Sequence, residues 1–189
     1  MLKFIVKLHP EIAIKSRSVR KRFTKVLENN IKIVLRRVDE KVQVRNNWDN
    51  ISVVTKLDDA QTRLDFIDSL QRIPGIVQFI EVTETDFKTI DDIYQKTIEL
   101  VGHTIIGKTF CVRAKRIGQH DFTSTELERY VGGGLNQHVE GARVKLSRPE
   151  VTIRLEIKDE KAYIVTQTHL GMAGFPLPTQ DDVLSLMSG

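Results

Sequence analysis

The most informative segment of the chain covers residues 108–138, which read KTFCVRAKRIGQHDFTSTELERYVGGGLNQH. Apolar and polar side chains alternate over residues 108–116, and this period of two is typical of a β-strand. From Ser124 to about Gly141 the apolar residues instead recur with a helical period. The segment therefore predicts a strand, a turn and a helix in direct succession.

The predicted strand places two bases on its open face. Alternation assigns one face to the core, with Phe110, Val112 and Ala114. The other face carries Cys111, Arg113 and Lys115, and Cys111 is expected to be a small packing residue. Arg and Lys on an open sheet face favour contacts with phosphate. The alternative is that they form salt bridges with Glu126 or Glu128 of the helix.

Three glycines, Gly132–Gly134, interrupt the predicted helix. At about 1 kcal/mol each they cost roughly 3 kcal/mol relative to alanine, so close packing of another backbone or a ligand must compensate. We expect close packing against the sheet. The free N–H groups at the helix N-terminus near Thr123 to Thr125 could in addition bind a phosphate, a second use that is compatible with close packing.

The segments on either side predict two α+β units. The first has the order strand, helix, strand, strand, helix, strand, the ferredoxin-like pattern, at residues 3–8, 17–38, 42–47, 51–56, 59–73 and 76–82. The second adds a helix at 89–101 and paired strands at 151–157 and 162–168 around the central strand and helix. Residues 170–178 (LGMAGFPLP) have no period and two prolines, which predicts a linker.

Basic residues are concentrated in two segments of the 189-residue chain, whose net charge is +4. The segment 12–27 contains six bases and no acid, and 100–120 contains four bases and no acid. Two such segments predict one shared surface for an anionic partner if the fold brings them together. The alternative is two solvated faces that never meet.

Several classes of protein are disfavoured. One cysteine allows no internal disulfide, and the five histidines lack the spacing of a metal site. We find no nucleophile motif and no complete phosphate loop, and no apolar run is long enough to span a membrane. Lys3 and Lys7 interrupt the N-terminal apolar stretch, unlike a signal peptide, so a cytoplasmic location is expected.

The segment 110–138, followed by VKLSRPEVTIRLEI at 144–157, resembles a THUMP domain, an RNA-binding module of tRNA-modifying enzymes. With LHPEIAIKSRSVRKRF at 8–23 and DVLSLMSG at 182–189, the whole chain resembles the N-terminal part of the bacterial tRNA 4-thiouridine synthases, or tRNA sulfurtransferases. The resemblance implies a ferredoxin-like domain at 1–76, a THUMP domain at 77–168, a linker at 169–181, and the truncated first strand of a PP-loop pyrophosphatase domain at 182–189.

The resemblance implies a module that docks the acceptor stem and 3′ end of tRNA but is not itself catalytic. The residues implied to bind RNA are Lys15, Arg17, Arg20, Arg22, Arg113, Lys115, Arg116, His120, Arg129 and Lys145. ATP is expected only in the full-length parent, beside Val183 and Leu184, where Ser188-Gly189 would begin the phosphate loop. The family also uses a cysteine desulfurase as sulfur donor and supplies sulfur for thiamine thiazole synthesis.

Two other functions remain open from the sequence. The ferredoxin-like unit could be a protein-interaction or dimerisation module that pairs through a sheet edge, as a homodimer. A complete enzyme such as a nuclease is the third hypothesis, although no metal cluster or nucleophile supports it. No metal and no bound cofactor are expected in the chain itself.

Overall fold

Two units make up the described part of the chain, which comprises residues 1–47 and 50–181 of a computed structural model. Unit 1 contains Met1–Glu81 and the chain from Thr168 onward, and unit 2 contains Val82–Gln167. The sequence placed the corresponding boundaries after residues 76 and 168. The first boundary falls later because residues 76–81 of the strand Ile76–Asp86 pair with the first strand, Leu2–Leu8, and so belong to unit 1.

Unit 1 has the predicted ferredoxin-like order. Its elements are β1 (Leu2–Leu8), α1 (Pro10–Ala13), α2 (Arg17–Leu35), β2 (Gln43–Asn47), β3 (Asn50–Thr55), α3 (Ala60–Gln71) and β4 (Ile76–Asp86). The strands are antiparallel in the order β2-β3-β1-β4. Trp48 and Asp49, which were predicted to lie in the hairpin turn, are outside the described residues.

Helix α2 forms because its apolar residues recur every four positions. Phe23, Leu27, Ile31 and Leu35 are buried on one stripe, and the last three share a core cluster with the strands of the sheet. Helix α3 begins where the Asp59 side chain accepts a hydrogen bond from the Thr62 N–H at 2.9 Å, an N-terminal cap. Phe66 and Leu70 of α3 belong to the same core cluster, so both helices pack on one face of the unit 1 sheet.

Unit 1 also encloses a charged cluster. The Arg63 guanidinium donates two hydrogen bonds to the Glu81 carboxylate, at 2.7 and 2.8 Å, and Glu81 is 8% exposed. The His169 ring stacks on Phe79 with centroids 4.9 Å apart. Burial lowers the pKa of His169, and the neighbouring Glu81 carboxylate partly opposes that shift. The cluster therefore favours a neutral imidazole beside a paired carboxylate.

The segment predicted as a linker packs on unit 1. Gly171 N–H donates to Val77 O at 3.0 Å, and Ala173 N–H donates to Ile76 O at 2.7 Å. The Phe175 ring meets Phe23 edge-on at 5.8 Å between centroids. The segment has no period because these individual contacts, rather than a helix or strand, hold it.

Unit 2 surrounds the central strand and helix of the opening segment. Its elements are α4 (Ile90–Val101), β5 (Thr109–Ile117), α5 (Ser124–His138), β6 (Arg143–Val144), β7 (Val151–Lys158) and β8 (Lys161–Leu170). The strand order is β8-β7-β5-β6, with β5 parallel to both β6 and β7 and β7 antiparallel to β8. Helices α4 and α5 share a core with one face of these strands.

The glycines of α5 pack differently from the prediction. A Cβ at Gly134 would lie 2.5 Å from the Tyr94 ring on α4, whereas one at Gly132 would make an ordinary 3.8 Å contact with Val112 of the sheet. A Cβ at Gly133 would meet nothing within 4 Å. The prediction of close packing against the sheet is therefore wrong, because the tight contact is between two helices.

The predicted PP-loop strand at 182–189, with Val183 and Leu184, lies outside the described residues. Within residues 1–47 and 50–181, none of the helices combines the length and the apolar character needed to cross a bilayer.

Candidate nucleic-acid interface

The open face of the unit 2 sheet carries the two predicted bases. Arg113 and Lys115 are exposed, whereas Phe110, Cys111 and Val112 are buried. The buried Cys111 thiol contacts the Thr152 hydroxyl at 3.7 Å and has the packing role that was predicted for it. The alternation in residues 109–117 therefore predicted the exposure of Arg113 and Lys115 correctly, but Cys111, which it assigned to the same open face, is buried.

Strand β7 adds a third base to this face. In the parallel register Arg113 lies beside Arg154, and Lys115 lies beside Glu156. Neighbouring strands are about 4.8 Å apart, so the side chains of each row are close. The sequence analysis missed Arg154, although the alternation of residues 151–158 (VTIRLEIK) was a usable signal for its outward orientation.

Arg113 is held by two protein partners. Its guanidinium lies 3.6 Å from the Glu128 carboxylate and donates to Leu146 O at 3.3 Å. Glu128 in turn accepts a hydrogen bond from the Ala114 N–H at 2.8 Å, which fixes the carboxylate at the edge of β5. The salt-bridge alternative therefore holds for Arg113. Within the described residues the Lys115 side chain has no hydrogen-bond or ion-pair partner.

The N-terminus of α5 is occupied by its own capping box. The Thr123 backbone N–H and hydroxyl both donate to the Glu126 carboxylate, at 2.7 and 2.9 Å, and Glu126 N–H donates back to the hydroxyl at 3.2 Å. These hydrogen bonds lower the pKa of Glu126, so a negative charge already sits there. The capping box therefore occupies the N–H groups of Thr123 and Glu126 and disfavours a second anion there, and phosphate binding near Thr123 to Thr125 stays a prediction.

The turn after β5 is fastened within unit 2. His120 Nε2 donates to Asp159 O at 2.6 Å, and the imidazole lies over the Phe87 ring with centroids 6.1 Å apart. Arg116 donates weakly to His120 O at 3.4 Å. Gly118 has φ of +100°, a conformation that glycine adopts without strain. The structure gives His120 and Arg116 partners in the protein, and their contact with RNA stays a prediction.

Two further predicted residues lie on different sides of unit 2. Arg129 is exposed on α5, two residues after the buried Leu127, so it faces away from the core. Lys145 follows β6, and its N–H donates to Phe110 O at 2.7 Å, which places it at the edge of β5. Lys145 thus precedes Leu146, whose carbonyl accepts the hydrogen bond from Arg113, whereas Arg129 lies on helix α5.

The bases of unit 1 have aromatic and other partners. Lys15 Nζ lies 5.6 Å from the centroid of the Phe175 ring, and the Arg22 guanidinium lies 5.4 Å from that of Phe23. Arg17 and Arg20, in the first turn of α2, also interact within the protein. Because residues two apart point to opposite sides of a helix, Arg20 and Arg22 do not share a face.

No cluster of three or more histidine, cysteine or acidic side chains suited to a metal ion occurs among residues 1–47 and 50–181.

Two family models match the chain and between them cover both units. Residues 3–80 match the ThiI ferredoxin-like domain, and residues 87–167 match the THUMP domain. The chain is 58% identical over 188 residues to a tRNA sulfurtransferase of Colwellia psychrerythraea and 55% identical to that of Photobacterium profundum. All of this chain aligns, but it spans only 39% of the length of these curated relatives.

Solved structures share this fold. PH1313 from Pyrococcus horikoshii matches with a TM-score of 0.72 and 27% identity, over 95% of this chain and 58% of that one. A 4-thiouridine synthetase in complex with RNA and bound ATP matches with a TM-score of 0.73 and 20% identity, over 95% of this chain and 44% of that one. The second likeness concerns the fold alone.

Proposed function

We propose that this chain, which matches the ThiI ferredoxin-like domain over residues 3–80 and the THUMP domain over residues 87–167, is the tRNA-binding part of a tRNA sulfurtransferase. The observation that carries this proposal is the 58% identity to a tRNA sulfurtransferase over 188 residues. In this proposal the chain docks the acceptor stem and the 3′ end of tRNA, and the whole parent protein makes 4-thiouridine.

The open face of unit 2 gives the proposal a physical basis. Arg113, Lys115 and Arg154 project from two adjacent strands, and cations on an exposed sheet attract the phosphates of RNA. A-form RNA presents its phosphates and 2′-hydroxyls more readily than its base edges. Binding should therefore depend on the shape of the acceptor stem and on its unpaired end.

The remaining activities belong to the proposed parent protein. We expect it to use ATP, to accept sulfur from a cysteine desulfurase, to serve thiamine thiazole synthesis and to work in the cytoplasm. Val183 and Leu184, which the resemblance places beside ATP, are outside the described residues, so no described side chain is assigned to the nucleotide. A homodimer also stays a prediction, which sedimentation of the chain with and without tRNA would test.

A salt-dependent titration of tRNA tests the proposal. If about six phosphates are neutralised, log affinity falls against log salt with a slope of about −4 to −5. A tRNA lacking its single-stranded 3′ tail should bind more weakly at every salt concentration. Equal affinity for tRNA and for an unrelated RNA duplex of the same length would contradict recognition of the acceptor end.

A further inference from the structure

Two neighbouring rows of the open unit 2 face differ in charge. In one row Arg113 lies beside Arg154, so two cations are adjacent. In the next row Lys115 lies beside Glu156, so the charges are opposite. Like charges on neighbouring strands destabilise a sheet, whereas opposite charges stabilise it. The Arg113–Arg154 row therefore carries a cost that the adjacent row avoids.

The structure supplies no internal anion for Arg154. Its side chain is exposed, and among residues 1–47 and 50–181 it has no hydrogen-bond or ion-pair partner. Arg113 is restrained instead by Leu146 O at 3.3 Å and by Glu128 at 3.6 Å. One arginine of the row is thus held in place and the other is available to a ligand.

We propose that Arg113 and Arg154 form one site for a phosphodiester of the RNA backbone, in which Arg154 is the arginine without a partner among the described residues. This inference rests on the proposed RNA-binding function and adds a residue to it. A guanidinium binds two phosphate oxygens through paired N–H donors, and two guanidiniums on adjacent strands can hold both non-bridging oxygens of one phosphate. The bound phosphate also removes the repulsion within the row.

The test compares tRNA binding by the whole chain carrying Arg154→Gln, Arg154→Lys or the control Lys96→Gln. Lys96 lies on α4 and pairs with Glu99 at 2.7 Å, so its substitution removes one charge from unit 2 away from the open face. Ionic strength is set with potassium chloride, so that inorganic phosphate does not compete. Circular dichroism verifies that each variant is folded.

Loss of one phosphate contact should weaken tRNA binding by Arg154→Gln about three- to tenfold and reduce the salt slope by about one. Arg154→Lys should restore the salt slope more fully than the affinity. Lysine keeps the positive charge but lacks the paired N–H donors of the guanidinium. Lys96→Gln should match the unsubstituted chain. Without RNA, Arg154→Gln should be at least as stable as that chain, since it relieves repulsion.

A double substitution shows whether the two arginines share a phosphate. Arg113→Gln with Arg154→Gln should then lose less affinity than the product of the two single losses. If the chain binds tRNA and Arg154→Gln binds it equally well, this inference is overturned while the proposed function stands. Fully multiplicative losses would assign the arginines to separate phosphates and also overturn it. If the unsubstituted chain binds no RNA, the proposed function itself fails.

Discussion

The two units use positive charge differently. In unit 1, Arg63 is paired with the buried Glu81, and Lys15 and Arg22 lie over aromatic rings. In unit 2, Lys115 and Arg154 project from an open sheet with no side-chain partner among the described residues. The contrast indicates that Arg63, Lys15 and Arg22 are held by partners within unit 1, whereas Lys115 and Arg154 of the unit 2 sheet are available to a polyanion.

The difference in how the bases are paired follows from the surroundings of these side chains in each unit. In unit 1, the Phe175 ring contacts Phe23 from the irregular segment after β8. The ammonium group of Lys15 lies over the Phe175 ring. Helices α4 and α5 both pack on one face of the unit 2 sheet, and Lys115 and Arg154 project from the other face and are exposed. Net charge alone would not distinguish these two arrangements.

The largest effect on stability should come from breaking the Arg63–Glu81 ion pair of unit 1. Arg63→Met leaves the Glu81 carboxylate without its guanidinium, and we expect a loss of about 2 to 3 kcal/mol in the free energy of unfolding. Arg72→Met removes an ion pair with Asp68 whose two side chains are 74% and 59% exposed. This substitution should lower the free energy of unfolding by about 0.5 kcal/mol or less. Urea denaturation measures both, and equal losses would contradict a structural role for the Arg63–Glu81 pair.

A smaller effect tests the helix packing that positions β5 in unit 2. Gly134→Ala forces a methyl group onto the Tyr94 ring, whose hydroxyl hydrogen-bonds to His138 Nδ1 at 2.8 Å, and should cost about 1 kcal/mol net of the gain in helix propensity. Gly133→Ala has open space and should stabilise by up to about 1 kcal/mol. Thermal unfolding should shift in opposite directions, and a parallel shift would exclude the proposed contact.

A weaker effect concerns pH and unit 1. Because burial holds the pKa of His169 below its usual 6.5, the unfolded chain binds more protons there than the folded chain at mildly acidic pH. The contribution of the neutral His169 ring to the free energy of unfolding is therefore complete above about pH 6.5. It is lost as the pH falls through the pKa of His169 in the folded chain. His169→Phe should keep the stacking on Phe79 and lose less stability between pH 7.5 and 5. An identical pH dependence of Tm in both chains would refute this.

The smallest effect concerns the one paired arginine of the unit 2 face. Glu128→Gln keeps an oxygen for the Ala114 N–H but removes the negative charge 3.6 Å from Arg113. Affinity for tRNA should therefore rise about twofold at low salt, and the gain should vanish at high salt. Filter binding at two salt concentrations measures it. A loss of affinity at low salt would mean that Glu128 chiefly orients Arg113.

Local pattern was enough to predict most of the fold. The period of two in residues 108–116 and the helical pattern at residues 17–38 correspond to β5 and α2, within three residues at each end. Asp59 and Thr89 lie at the N-caps of α3 and α4, where their side chains accept backbone N–H groups. These signals are contained within one element, so the sequence carries them without knowledge of the tertiary structure.

Contacts between distant residues could not be predicted in this way. The partner of Gly134 is Tyr94, forty residues earlier, and Phe175 meets Phe23 across most of the chain. Arg154 was overlooked because its importance depends on the parallel register with Arg113, which the sequence does not specify. Likewise, Glu128 could be suggested as a partner of Arg113 but not chosen over Glu126.

The comparison between the units is tested most directly by the salt dependence of tRNA binding in two double variants. Arg113→Gln with Lys115→Gln removes two charges from the unit 2 face, and Lys15→Gln with Arg22→Gln removes two from unit 1. The first should reduce the slope of log affinity against log salt by about 1.4 to 1.8, and the second by clearly less. An equal or larger reduction in the unit 1 variant, with both proteins folded, would contradict the account.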